Sequence, residues 1–199
     1  MTVKAIRLQN FMAFEDTGWI ELGPICLLFG HNSVGKSTII RALRLLKQSL
    51  ATSSGSGPLV FFAEHGLDQG TFPTTIHRQD TSRSMIFSFR CELVRTLDRV
   101  RDSLNRQRTI HGQPPILRDA PETWAELKLA FSWKEETKSV DLEEVTVDCP
   151  WTVVDTEERR TVFGASRLDQ EAAGVLGSDW WFWSDILQGH ELDDIPNAR

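Results

Sequence analysis

The sequence predicts an α/β fold, and three observations carry that prediction. An apolar run, Ile25-Cys26-Leu27-Leu28-Phe29, opens onto a glycine-bearing loop; a helical apolar period follows; and three later stretches alternate apolar with polar residues, as half-buried strands do. At 199 residues the chain fits one domain, or one lobe of a larger one. Apolar residues are 40% and charged residues 25%, so a core can be buried and disorder throughout is excluded.

The elements follow in order. Residues 3–8 alternate moderately and Trp19-Ile20-Glu21-Leu22 alternate again before the turn at Gly23-Pro24, which predicts two short antiparallel strands. The run at 25–29, bounded by Gly-Pro and Gly, predicts a strand buried on both faces. From Gly35 to Leu50, Ile39, Leu43, Leu46 and Leu50 recur at helical spacing, and Ser53-Ser54-Gly55-Ser56-Gly57-Pro58 ends that helix. Met85, Phe87, Phe89, Cys91 and Leu93 then share one face of a strand. Leu127, Leu129, Phe131 and Trp133 repeat the pattern. Val140 and Leu142 begin a third such strand, which resumes as Val145, Val147 and Cys149 after a register break, so a bulge is expected at Glu143-Glu144. Together they predict an antiparallel sheet with one wet face.

Between the first two of these strands lies an Arg-rich insert, 94–118. Leu93, Leu97, Val100 and Leu104 keep a helical spacing there until Pro114-Pro115, predicting a short helix. From Gly164 onward the chain is acidic, with one aromatic knot, Trp180-Trp181-Phe182-Trp183. A core edge or an interface suits that knot, because Trp runs pack poorly in a central parallel strand.

Charge and cysteine usage narrow the function. Lys plus Arg is 22 against 28 Asp plus Glu, a net charge of −6, which argues against a surface that coats nucleic acid everywhere. A local patch remains open. Arg95, Arg99, Arg101, Arg106 and Arg108, diluted by Asp98 and Asp102, read either as a solvated helix face or as contacts to DNA or RNA phosphates, and the first is the commoner meaning. Cys26, Cys91 and Cys149 are odd in number and lack a C-x-x-C, so neither a disulfide framework nor a thiolate zinc site is expected. His65, His77, His111 and His190 lack metal-ligand spacing. No window reaches 18 apolar residues and no leader pattern opens the chain, so the expectation is a cytoplasmic protein without a membrane partner.

Gly30-His31-Asn32-Ser33-Val34-Gly35-Lys36-Ser37 satisfies G-x-x-x-x-G-K-[ST] between an expected strand and an expected helix, the context the phosphate-binding loop requires. Triphosphate oxygens are densely charged and well hydrated, so a protein must replace their waters with many converging donors. Backbone N–H groups across Gly30, Asn32, Ser33, Val34 and Gly35 supply them, the glycines allowing close approach. Lys36 places a charge against the β and γ phosphates, Ser37 offers Mg²⁺ a hydroxyl ligand, and Thr38 can bond the α phosphate. The plain alternative is a glycine turn with an exposed lysine. Phe11 or Phe14 could stack on adenine, or serve the core.

The stretch Ile6-Arg7-Leu8-Gln9-Asn10-Phe11-Met12-Ala13-Phe14, followed by Gly30 to Thr38, resembles the opening of ABC-type ATPases of the SMC, RecF and OLD class, with its pattern I-x-x-x-N-F-x-x-F … G-x-N-x-x-G-K-S-T. Ala42 to Leu50, Pro58-Leu59-Val60, Leu67 to Phe72 and Ile76-His77-Arg78 are similar to a bacterial AAA-family subgroup with such a head. The resemblance implies a P-loop ABC-type head lobe: a central sheet with its P-loop helix, plus an antiparallel β-subdomain. On that reading residues 1–163 are the ATP-binding domain, with the β-subdomain at roughly 59–163, and 164–199 form an acidic, Trp-rich segment. ATP and Mg²⁺ are the implied cofactors. Homo- or hetero-oligomers sandwiching nucleotide are the implied assembly, with work on DNA through a partner or the Arg-rich insert, in DNA maintenance or phage defence.

Hydrolysis needs further groups: a carboxylate holding Mg²⁺ through water, a group positioning the attacking water, and charge for the transition state. No Walker B strand, signature segment or switch histidine is found. Leu59 to His65 reads superficially as apolar-x-Glu-His, but Ala63 stands where the Asp belongs. The expectation is an ATP-binding lobe completed elsewhere, its catalytic residues not identified. The alternatives are a non-hydrolysing module whose nucleotide state governs assembly, and a small-molecule kinase with the Arg-rich insert as its lid.

Overall fold

A computed structural model of the chain describes residues 2–31, 35–51, 57–62, 66–92, 94–112, 115, 117–119, 124–153, 160–167 and 180–184. Its elements are β1 (Thr2–Phe11), β2 (Phe14–Asp16), β3 (Ile20–Glu21), α1 (Lys36–Ala51), α2 (Phe72–Thr75), a 3-10 turn (His77–Gln79), β4 (Met85–Glu92), α3 (Val94–Ile110), β5 (Leu117–Asp119), β6 (Ala125–Lys134), β7 (Ser139–Val153), β8 (Arg160–Arg167) and β9 (Trp180–Ser184). The strands pair in the order β2-β1-β4-β6-β7-β8-β9, with β3 also on β1 and β5 on β7. β1 is antiparallel to β2 and β3, β7 to β5 and β8, and β8 to β9. The chain divides into two compact units.

The unit made of Ala5–Ser88 and Leu129–Glu143 holds the early strands, α1 and the candidate loop. Its core gathers Ile6, Leu8 and Phe11 of β1 and Met85 and Phe87 of β4, with Phe131 of β6 also buried. Phe87 meets Phe11 at 5.6 Å and Phe131 at 5.9 Å, both edge to face, the arrangement the ring quadrupoles favour. Phe72 stacks on Trp133 at 6.0 Å.

Two expectations fail in this unit. Residues 25–29 form no strand, and Ile25, Leu27, Leu28 and Phe29 are 84%, 71%, 40% and 85% exposed. An apolar run earns a ladder only where neighbouring strands flank it, and among the described residues none pairs with this one. The apolar stripe of α1 is likewise displaced. Thr38, Ala42 and Leu45 are buried, whereas Ile40, Leu43 and Leu50 face outward. The small Thr38 and Ala42 let the helix approach its own unit closely, so the larger side chains are left on an uncovered face.

The segment after α1 is tied to that helix. Ser49 Oγ accepts the Val60 N–H at 2.9 Å, and Gln48 donates to the Val60 and Leu67 carbonyls while accepting the Leu67 N–H. Leu59 and Val60 are buried without forming a strand, which removes the Walker B likeness of this segment, since that role belongs to a strand end. Its Ala63, Glu64 and His65 lie outside the described residues.

The other unit comprises Met1–Lys4, Phe89–Lys128 and Glu144–Arg199. Here Cys91, Ala125 and Cys149 are buried. The wet face expected of the three long strands is partly covered instead. Arg90 lies 4.4 Å over the Trp124 ring, and Lys128 pairs with Glu144 at 2.8 Å, so the stems of charged residues shield it. Along its ladder with β8, the register of β7 shifts between Cys149 and Thr152, around Pro150, which has no N–H to give the ladder. The Arg-rich insert forms α3 as expected, longer than the spacing implied, followed by β5. The Trp run forms β9 along β8; Asp185, 168–179 and the chain beyond 184 lie outside the described residues.

Candidate functional site

The candidate loop leaves the exposed 25–29 segment and ends at the first residue of α1. Gly30 and Gly35 have φ of +148° and +97°, backbone angles that L side chains rarely adopt, so glycine is required at each for conformational reasons. Asn32, Ser33 and Val34 lie outside the described residues. The Lys36 Nζ donates to the carbonyl oxygens of Gly30 and His31, at 2.6 Å each, so the ammonium folds back over the start of its own loop. Ser37 is exposed in the first turn of α1, and Thr38 is buried, its amide donating to the Gly35 carbonyl at 3.0 Å.

Charge at this point has one sign. The first turn of α1 carries no acidic residue, so the positive end of the helix and the Lys36 ammonium are unopposed by a neighbouring carboxylate of that turn. The arrangement suits a polyanion, for which phosphate oxygens would replace the two carbonyls on Lys36. The Ser37 hydroxyl is a single hard oxygen donor, the type that Mg²⁺ takes while keeping several waters. Among the described residues no group of three or more His, Cys, Asp or Glu comes together as a metal cluster.

The aromatic candidates separate. Phe11 is 1% exposed and paired with Phe87, so it belongs to the core and cannot stack on a base. Phe14 is half-buried and aims the tip of its ring at the loop: a Cβ on residue 35 would fall 2.5 Å from its Cζ. The sequence pointed to both phenylalanines but not to this contact. Around them, the His77 ring shares a 2.9 Å hydrogen bond with the Met12 carbonyl, and Arg83 pairs with Glu15 at 3.0 Å, holding the Glu15 carboxyl below its usual range. Spacing alone gave no sign that His77 and Arg83 reach this turn.

A match to a family model identifies the chain as a nucleotide-binding lobe of an ATPase. Residues 1–109 match the AAA ATPase domain family, and the chain belongs to that family. No curated protein matches the chain. No described helix is long and apolar enough to cross a membrane.

Proposed function

We propose that the chain is the ATP-binding lobe of an ABC-type ATPase of the SMC, RecF and OLD kind, holding Mg-ATP at residues 30–38 and supporting hydrolysis once a second lobe or a partner polypeptide completes the site. The observation that carries this reading is the Lys36 ammonium poised over the loop at the N-terminal end of α1. On binding, Lys36 exchanges the Gly30 and His31 carbonyls for β and γ phosphate oxygens. Loop amides, those of Asn32, Ser33 and Val34 included, surround the phosphates, Ser37 ligates Mg²⁺ and Thr38 serves the α phosphate. Mg²⁺ held by Ser37 would supply positive charge that offsets the charge of the phosphates.

Two uncovered apolar features support completion by a second lobe. Ile25, Leu27 and Phe29 lie on an exposed segment with no strand partner among the described residues, and Ile40, Leu43 and Leu50 form an outward face of α1. Water would not stably face so much apolar surface in the working protein. Nucleotide-sandwich oligomers and work on DNA, in genome maintenance or phage defence, belong to the same reading.

Calorimetry with Mg-ATP tests it. Binding by the chain, weakened in Lys36→Ala, with slow phosphate release that a second polypeptide accelerates, supports the proposal. Tight binding without turnover in any pairing supports the assembly module instead, phosphate transfer to a metabolite supports the kinase, and absence of binding overturns all three.

A further inference from the structure

We propose that Phe14 is a positioning residue for the phosphate loop, an inference that rests on nucleotide binding at that loop. A Cβ on residue 35 would lie 2.5 Å from Phe14 Cζ, closer than real Cβ contacts come, and 3.1 Å from both Cε atoms, tighter than most. The ring therefore occupies the volume where any side chain at 35 would begin. Gly35 in turn precedes Lys36 and accepts the Thr38 amide, so its position sets the start of α1 and the base of the lysine.

A ring can hold a loop only if its own backbone is held. The turn that presents Phe14 is fixed from several directions. Asn10 and Met12 take left-handed φ of +55° and +50°, a conformation that asparagine adopts readily but that methionine holds only where its surroundings enforce it. The enforcing contacts are present: Asn10 Nδ2 donates to the Ser84 carbonyl at 2.8 Å, the Met12 amide to the Thr75 carbonyl at 2.6 Å, and His77 engages the Met12 carbonyl. Phe11 bridges Ile76 through its backbone and is buried by its ring. Phe14 thus stands on a rigid platform, and it acts on the ligand through Gly35 without touching it.

The test compares Phe14→Ala, Phe14→Leu, Gly35→Ala and the Phe14→Ala/Gly35→Ala double variant. It uses amide hydrogen exchange over residues 30–38 without nucleotide, Mg-ATP calorimetry, and circular dichroism to confirm folding. Phe14→Ala is expected to speed exchange at 35–38 and to weaken ATP binding about tenfold, with Phe14→Leu intermediate. The double variant should bind no worse than Gly35→Ala alone, because removing the ring removes the clash. Unchanged exchange and affinity in folded Phe14→Ala, or in folded Phe14→Leu where the alanine variant does not fold, would overturn the inference, as would losses that multiply in the double variant. Should the parent chain bind no ATP while Phe14→Ala still loosens 35–38, the nucleotide reading fails and the positioning role stands.

Discussion

The Lys36 ammonium lies 2.6 Å from the carbonyl oxygen of Gly30, six residues earlier, and so closes the loop with its own charge before any ligand arrives. Those bonds are made at an exposed site, where water can replace them at little cost. Phosphate oxygens are stronger partners for the same ammonium. Lys36→Ala is therefore expected to weaken Mg-ATP binding by about 10- to 100-fold while leaving the thermal midpoint nearly unchanged. Calorimetry and differential scanning fluorimetry on the same preparations check both halves; a large drop in stability would mean that the lysine serves the fold.

What was legible in the sequence follows from where physical requirements are local. The glycine-lysine spacing could be read because phosphate chemistry fixes it. Met85, Phe87 and Cys91 alternate because one pleat buries them. Residues 25–29 misled because apolarity reports what a segment needs, and its covering partner is not among the described residues. The three residues of β5, paired to β7 at Leu117↔Val153, were too few to show a period, and α1 hid its inward face because Thr38 and Ala42 are small rather than greasy. Phe14 was visible as an aromatic, but its contact with Gly35 is a product of tertiary structure.

Asp16 links acidity to the stability of the first strands. Two hydrogen bonds from Arg7, reinforced by the Gly18 amide, lower its carboxyl from 3.8 to about 2. The folded form thus holds the proton less tightly than the unfolded one. The stabilisation is complete above about pH 4 and fades as pH falls through the folded value. Because the pair is a third exposed, solvent screening limits it to about 0.5–1 kcal/mol. Asp16→Asn should lower the unfolding free energy measured by urea titration at pH 7 by that much and flatten the loss of stability between pH 4 and 2. An unaltered acid limb would show that the pair contributes nothing.

Phe87 is fully buried between Phe11 and Phe131, and its removal leaves a cavity that neighbouring rings cannot collapse into without leaving their edge-to-face geometry. Phe87→Ala should cost about 3–5 kcal/mol in urea unfolding. Leu50→Ala, at a position 88% exposed, should stay within about 0.5 kcal/mol. A comparable loss at both positions would mean that Leu50 is covered in solution.

Helix α3 carries five arginines and two aspartates in a chain whose net charge is −6. The Asn105 amide bonds both backbone groups of Leu117, at 3.0 and 3.2 Å, which fixes the inner side of the helix to β5. Arg99 and Arg106 are exposed on the other side, seven residues or about 10 Å apart along one face. The aspartate between them, Asp102, is already held by Arg101 at 2.9 Å. The DNA contact proposed for the insert would use that face, since guanidinium groups match phosphate geometry. Arg99→Glu/Arg106→Glu should weaken binding to a labelled DNA duplex at least tenfold near 50 mM salt and reduce the slope of log affinity against log salt by about two. Mg-ATP affinity should not change, since neither residue belongs to the unit that holds the loop. Fluorescence anisotropy across a salt series decides the matter: an unaltered slope would return these arginines to the role of a solvated helix face.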